Sequence, residues 1–137
     1  MCLARWSAGE KLDLGSIRQD VYAAGAEKDH IVPWQAAWRV TQLVGGNVRF
    51  VLASSGHIAG IINPPGGKGT YSVVEPPARF ESAEAWRENA TKHDGSWWTD
   101  WSDWLSERSG GLGAAPGVGS ATYPPLESAP GSYVLEK

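Results

Sequence analysis

Two strand-like segments with a helical pattern between them constrain the fold of this 137-residue chain more than any other feature. Residues 19–26 and residues 48–53 are short runs of small and apolar side chains, as in buried strands. Between them, apolar side chains recur with helical spacing over residues 34–43, after Pro33 and before the glycine pair at 45 and 46. Since a strand–helix–strand crossover joins parallel strands, the sequence predicts an α/β fold with a parallel, largely buried sheet.

The second half of the chain changes character after Pro64-Pro65. Residues 71–75 have the pattern of a short strand. Ser82 is a suitable N-cap for a helix that we expect to end near His93. A further helix is predicted over residues 97–108.

Eight tryptophans are an unusual number for a chain of this length, and four of them lie between Trp97 and Trp104. Large rings dominate protein cores and interfaces, so we expect most of them to fill the core or a subunit contact. The alternative is a surface that meets an apolar partner. From Gly110 onward the sequence is dense in glycine, proline and serine, so we expect a folded domain over residues 1–109 and a Gly/Pro-rich tail over residues 110–137.

Composition excludes several classes of function. The net charge is −3, with 12 basic and 15 acidic side chains, so we expect neither nucleic acid nor an anionic membrane surface as a partner. Cys2 is the only cysteine and allows no intrachain disulfide, which suits a cytoplasmic protein. No apolar run is long enough to predict a membrane span, and no signal peptide is recognisable. His30, His57 and His93 lack metal-ligand spacing, so we predict no metal and no cofactor.

Asp29 and His57 each follow a predicted strand, 28 residues apart. Parallel strands bring such loops to one edge of the sheet, which is where α/β proteins form their sites. In α/β-hydrolases the acid and the histidine occupy successive loops of this kind, after the nucleophile. A carboxylate beside an imidazole selects its tautomer and stabilises the imidazolium during proton transfer. Spacing alone leaves a structural histidine as the more common interpretation.

Several long motifs follow one another along nearly the whole chain. They are Asp29-His30-Ile31-Val32-Pro33-Trp34, Ser55-Gly56-His57-Ile58-Ala59-Gly60, Asn63-Pro64-Pro65, Gly95-Ser96-Trp97-Trp98, Asp100-Trp101, Trp104-Leu105, Arg108-Ser109-Gly110 and Ala129-Pro130-Gly131-Ser132-Tyr133-Val134. In this order they resemble the C-terminal part of polyhydroxyalkanoate synthases, and the long Trp-rich end resembles the single-subunit type. The resemblance implies the C-terminal portion of an α/β-hydrolase fold, with its last parallel strands and helices.

The same resemblance implies an acyltransferase that polymerises (3R)-hydroxyacyl-coenzyme A into a polyester and releases coenzyme A. A cysteine thiolate attacks the thioester in such enzymes, and the growing polyester stays covalently attached. His57 corresponds to the general base, and Asp29 to the carboxylate that orients it and helps to activate the 3-hydroxyl. We expect His30 to be a supporting hydrogen bonder. The expected setting is the cytoplasm and the surface of polyester granules, with a homodimer as one form of the enzyme.

The chain departs from that family at its most important residue. The family's nucleophile lies in a Gly-x-Cys-x-Gly turn, which this sequence lacks, and Cys2 has no flanking glycines. We therefore interpret Cys2 as incidental, assign no nucleophile and expect the isolated chain to be inactive. Part of a parallel sheet would also leave an open edge strand and an uncovered apolar face, which favour self-association.

Two other functions remain open from the sequence. One is a different α/β-hydrolase, such as an esterase or a polymer depolymerase, for which an upstream serine in place of cysteine would be diagnostic. The other is a non-catalytic module in which the tryptophans of residues 97–104 contact a polyester granule or a second subunit.

Overall fold

A computed structural model describes residues 5–137 of the chain. The described residues form six short strands and four helices. The strands are β1 (Arg5–Ser7), β2 (Glu10–Leu12), β3 (Val21–Ala26), β4 (Val48–Ala53), β5 (Thr70–Val73) and β6 (Thr91–Asp94). The helices are α1 (Trp34–Trp38), α2 (Val40–Leu43), α3 (Ala83–Asn89) and α4 (Trp97–Ser109), with 3-10 turns at Leu14–Ser16 and Tyr133–Leu135.

The main sheet has four strands in the order β3-β4-β5-β6. β3 and β4 pair in parallel, from Val21 opposite Val48 to Ala26 opposite Ala53, so the predicted strand–helix–strand unit is confirmed. β5 and β6 are antiparallel to their neighbours, which makes the sheet mixed. β1 and β2 form a separate antiparallel pair. The molecule thus has the expected α/β character, with only its first two sheet strands parallel.

Element boundaries differ from the sequence predictions in two places. The helix expected over residues 34–43 divides at Arg39 into α1 and α2, although Arg39 keeps right-handed helical angles. The prediction of a helix ending near His93 was wrong, because α3 ends at Asn89 and β6 follows at once. Ala90 is already extended, and β6 pairs with β5 as an edge strand of the sheet. Pairing in the sheet, which the local sequence does not encode, determines the backbone conformation of these residues.

Apolar side chains cover both faces of the sheet. One cluster contains Trp34, Trp38, Phe50, Leu52 and Trp86 with α1 and α3. The other cluster sets Trp97 of α4 against the side chains of β4 and β5 that point to the opposite face. β4 is therefore buried on both sides, so the uncovered apolar face expected from the sequence was wrong for this strand. The open edge does occur, because β3 pairs only with β4 within the described sheet.

Most of the tryptophans belong to this core. Trp34, Trp38, Trp86 and Trp97 are buried, and Trp98 and Trp104 are half-buried. Trp101 is 40% exposed. Trp34 packs against Phe50 and Trp86, as expected for a ring that joins helix to sheet. The packing favours the core interpretation of these rings over a broad apolar surface.

Residues 111–137 run as exposed coil, with the short 3-10 turn near the end. Leu112, Val118 and Leu126 are almost fully exposed there. None of the helices in the described part of the chain is both long and apolar enough to span a membrane.

Candidate active site

The acid loop (residues 27–33) and the histidine loop (residues 54–62) leave the same edge of the sheet. β3 and β4 are parallel and in register, so both end at the same level, with Ala26 opposite Ala53. The ladder continues one step beyond the strands, because the Glu27 N–H donates to the Ala53 carbonyl at 2.8 Å and the Lys28 N–H to the Ser55 carbonyl at 3.0 Å. The two loops therefore begin side by side, as the topology predicts.

Asp29 holds its own loop together and also contacts the histidine. Its Oδ1 accepts the N–H groups of Ile31 and Val32, both at 2.9 Å. Its Oδ2 lies 2.8 Å from Nδ1 of His57. The carboxylate is 7% exposed, whereas the imidazole is 43% exposed. One oxygen thus fixes the loop, and the other is free to orient the ring.

These contacts lower the pKa of Asp29 to about 2 from its usual 3.8. The Val32 N–H is the largest cause, and the contacts with His57 and the Ile31 N–H add to it against the opposing effect of desolvation. Asp29 is therefore ionised throughout the neutral range and presents a negative charge to Nδ1. That leaves Nε2 of His57 as the atom that can take and return a proton.

The two loops that carry this polar pair also carry exposed apolar side chains. Ile31 and Val32 of the acid loop are 61% and 45% exposed, and Ile58 and Ile62 of the histidine loop are 68% and 63% exposed. We call these four residues the apolar rim. A cleft of about 170 Å³ adjoins the histidine loop and is lined in part by Ser55, Ile62 and Lys68. The glycine-rich stretch around Lys68 carries no sequence signal beyond that of a turn, so this cleft was not anticipated.

The other two histidines do not contact the Asp29–His57 pair through hydrogen bonds in the described part of the chain. His30 is exposed, and no hydrogen bond joins it to Asp29 or His57 within residues 5–137, so its supporting role stays a prediction. His93 stacks on Tyr71 with ring centres 5.2 Å apart. Cys2 lies outside the described residues. Among those residues, no group of three or more His, Cys, Asp or Glu side chains is arranged to hold a metal ion.

A polar network on the α4 side of the sheet was not anticipated. Asp100 accepts the Tyr22 hydroxyl at 2.7 Å and Nε of Arg49 at 2.8 Å, and Arg49 also pairs with Glu75. Burial alone would raise the pKa of Asp100, but the hydrogen bonds from Arg49 and Tyr22 outweigh it and leave that pKa lowered. Only tertiary packing brings these residues together, since Tyr22 and Asp100 are 78 positions apart.

Fold and site together define an α/β protein with an acid–histidine pair at the edge where two parallel strands end. In sequence, the chain is 45% identical over 130 residues to poly(3-hydroxyalkanoate) polymerase 2 of Ectopseudomonas oleovorans, covering 94% of this chain and 23% of the relative. It is 47% identical over 130 residues to the poly(3-hydroxyalkanoate) polymerase subunit PhaC of Cupriavidus necator, covering 94% of this chain and 22% of that protein. The Rhizobium etli subunit PhaC is 36% identical over 129 residues, or 94% of this chain and 20% of that protein.

No protein-family model matches the chain. The chain spans less than a quarter of the length of the curated relatives that it matches, and the match falls in their C-terminal fifth. It is therefore a homologue of the C-terminal region of the poly(3-hydroxyalkanoate) polymerases. This confirms the resemblance seen in the motifs.

Proposed function

We propose that this chain is the C-terminal part of a polyhydroxyalkanoate synthase and supplies the catalytic aspartate and histidine for polymerising (3R)-hydroxyacyl-coenzyme A. The observation that carries the proposal is the 2.8 Å contact between Asp29 Oδ2 and His57 Nδ1. It occurs at the carboxyl ends of parallel strands, in a chain whose relatives are polymerases. The proposal includes the finer fold assignment, the C-terminal portion of an α/β-hydrolase domain over residues 1–109 with a tail over residues 110–137.

The proposed chemistry needs a cysteine in a Gly-x-Cys-x-Gly turn, a motif that this sequence lacks. Nε2 of His57 takes the proton of that thiol, and the thiolate attacks the thioester carbonyl of the substrate. The carbon–sulfur bond to coenzyme A breaks, and His57 returns the proton to the leaving thiolate. In elongation, His57 or Asp29 accepts the proton of the 3-hydroxyl at the end of the growing chain as this oxygen attacks the thioester carbonyl of the next acyl group. The carbon–sulfur bond of that thioester breaks, and the proton passes to the departing thiolate. Asp29 keeps the Nδ1 proton in place and stabilises the imidazolium throughout.

The surroundings of the Asp29–His57 pair suit an acyl substrate. The apolar rim offers contacts for the hydrocarbon part of a hydroxyacyl group, and its residues belong to the same two loops as Asp29 and His57. For the full-length enzyme, the same proposal includes the polyester chain and a second copy in a homodimer as partners. Its proposed setting is the cytoplasm, at the surface of the polyester granule. By itself the chain is expected to be inactive, because its sequence contains no Gly-x-Cys-x-Gly turn to provide the nucleophile.

A chimera tests the proposal directly. The C-terminal region of the Cupriavidus necator subunit is replaced by residues 8–137 of this chain, and release of coenzyme A from (3R)-hydroxybutyryl-coenzyme A is followed with a thiol reagent. We expect turnover in the chimera and none with the isolated chain. His57→Ala and Asp29→Ala should each reduce turnover by on the order of 10²-fold or more, as for loss of general acid–base catalysis.

His93→Ala provides the matched control, because His93 stacks on Tyr71 at the far edge of the sheet. It should leave turnover within about twofold of the parent chimera, on the general expectation for changes far from the reacting atoms. Full activity of the His57→Ala chimera would contradict the proposed roles. Turnover of simple esters in preference to the acyl-coenzyme A would instead support the hydrolase alternative.

A further inference from the structure

We propose that Ser96, Trp97 and Trp98, at the start of α4, are positioning residues that hold the histidine loop and thereby set the orientation of His57. We call these three residues the α4 clamp. The inference deepens the function proposed above, since it rests on His57 being the base of the reaction. It gives the double tryptophan of the sequence a role in the site in addition to its role in the core.

Three consecutive side chains of the clamp bind three backbone carbonyls of one segment. Nε1 of Trp97 donates to the Gly60 carbonyl at 2.9 Å, and Nε1 of Trp98 donates to the Ile61 carbonyl at 2.9 Å. The Ser96 hydroxyl donates to the carbonyl of Asn63, the residue that directly follows the histidine loop. Partly or fully buried carbonyls need such donors, and an unsatisfied one is costly. The clamp therefore binds the histidine loop through groups that no purely apolar ring could replace.

A single helical turn connects those carbonyls to the catalytic ring. The Gly60 N–H donates to the Gly56 carbonyl at 2.8 Å, and the Ile62 N–H donates to the Ile58 carbonyl at 2.8 Å. His57 lies inside this turn, three residues before Gly60. Because the turn is closed by its own hydrogen bonds, a shift of the carbonyls at 60 and 61 would move the imidazole as well.

The opposite side of the clamp is anchored in the core. Trp97 is 9% exposed, stacks on Tyr22 with ring centres 6.0 Å apart and packs in the cluster that contains Val51 and Val73. One turn further along α4, Asp100 binds Tyr22 and Arg49 of the sheet. The start of α4 is thus fixed to the same two strands that carry the acid and histidine loops.

Precise placement matters more for His57 than for Asp29. Asp29 is anchored by two N–H groups of its own loop. The imidazole, by contrast, is 43% exposed and has Asp29 as its hydrogen-bond partner in the described part of the chain. Its distance from Asp29 therefore depends on where the histidine loop is held.

Substitutions that keep a ring but remove the indole N–H test the idea. In the 137-residue chain, Trp97→Phe and Trp98→Phe are compared with Trp101→Phe, whose ring is 40% exposed. The readout is the pair of ¹⁵N chemical shifts of the His57 ring in its neutral form, which report the tautomer. The parent chain should favour the tautomer with the proton on Nδ1. Trp98→Phe and Trp97→Phe should shift the His57 ring toward the mixture of tautomers found in a free imidazole, and Trp101→Phe should not.

A second readout uses the chimera with the polymerase subunit. Trp98→Phe should lower kcat by about tenfold or more with KM within about twofold, because misplacing a catalytic group by a fraction of an ångström affects the transition state more than binding. Unchanged His57 shifts in a folded Trp98→Phe chain would overturn the inference. So would global unfolding of Trp98→Phe, since the hydrogen bond would then support the whole fold and not this loop.

The two proposals fail separately. A shifted His57 ring in Trp98→Phe, together with a chimera that stays fully active when His57 is removed, would uphold the clamp and reject His57 as the base. The opposite result is a chimera whose activity depends on His57 but whose His57 shifts do not respond to any of the three clamp variants, including Ser96→Ala. It would uphold His57 as the base and reject the clamp.

Discussion

Gly60 of the histidine loop packs directly against Ala26, the last residue of β3, which lies three residues before Asp29. A Cβ at position 60 would lie 2.6 Å from the Cβ of Ala26 and 2.7 Å from the Gly56 carbonyl oxygen. Real Cβ atoms do not approach this closely, so only glycine fits. This close packing lets the histidine loop lie near enough to the acid loop for His57 to reach Asp29.

Gly60→Ala should therefore be harmful. Relieving the overlap costs about 1–3 kcal/mol of unfolding free energy, as for other overpacked sites, and moves the loop away from Asp29. Gly56→Ala is the matched control, because a Cβ there meets only the Lys28 carbonyl oxygen at an ordinary 3.5 Å. Urea unfolding measures the stabilities. Equal stability of the two variants would show that the loop adjusts without strain.

The titration of Asp29 offers a test in solution. Its pKa should be about 2 when the ¹³Cγ shift is followed against pH. His57→Ala should raise that pKa but leave it below 3.8, because the Val32 N–H, the largest cause of the lowering, remains. Asp20, whose lowered pKa comes first from its hydrogen bond with Arg108, should not respond. A response of Asp20 equal to that of Asp29 would indicate a general loss of structure.

The same pKa sets how stability depends on pH. The folded value of about 2 lies below the ordinary value of 3.8, so the folded chain binds the proton more weakly than the unfolded chain does. Ionised Asp29 therefore stabilises the fold above pH 3.8 and loses this contribution as the pH falls from 3.8 to about 2. Asp29→Asn should flatten the dependence of the unfolding free energy on pH in that window.

Asp100→Asn should destabilise the attachment of α4. Asp100 and Arg49 have side chains only 11% and 13% exposed, and a hydrogen bond to a charged group is worth about 1.5–3 kcal/mol. Asp20→Asn is the comparison, since its pair with Arg108 is more than a third exposed and should contribute less to stability. Chemical denaturation of both variants gives the difference. A smaller effect at Asp100 than at Asp20 would mean that Glu75 alone satisfies Arg49.

Trp38→Phe should be better tolerated than its burial suggests. Trp38 is 5% exposed, yet its Nε1 has no hydrogen-bond partner among the described residues. Removing a buried donor without a partner recovers about 1–3 kcal/mol of desolvation cost, which offsets the weaker apolar packing of the smaller ring. Trp97→Phe lacks this compensation, because it leaves the Gly60 carbonyl unpaired. Thermal unfolding should show the larger drop in Tm for Trp97→Phe.

The isolated chain should self-associate. The apolar rim is exposed, and β3 has an unpaired outer edge within the described sheet. Sedimentation velocity at two concentrations should reveal species larger than a monomer. Ile58→Lys, in the rim, should reduce association more than Leu112→Lys in the tail. A monomer at all concentrations would contradict this expectation.

Sequence patterns located the strand–helix–strand unit well because β3 and β4 are short apolar runs with clear breaks on either side. They placed α4 to within one residue, since its tryptophans recur with helical spacing and Gly110 lies just past its end. They failed at residues 90–94, which have no strand pattern of their own and are extended because β5 offers a free edge. The local strand propensity is weak there, so pairing with β5 determines the backbone conformation.

In the candidate site too, some features follow from the sequence and others only from the tertiary structure. Sequence by itself determined the identities of Asp29 and His57, the order of their loops and the relationship to the polymerases, because short motifs and parallel topology are written in the residues. Tertiary structure alone decided the 2.8 Å contact between them and the close approach of Gly60 to Ala26. It also decided the hydrogen bonds that Trp97 and Trp98 donate to the histidine loop. Those contacts join positions up to 37 residues apart, and they depend on packing that no local pattern specifies.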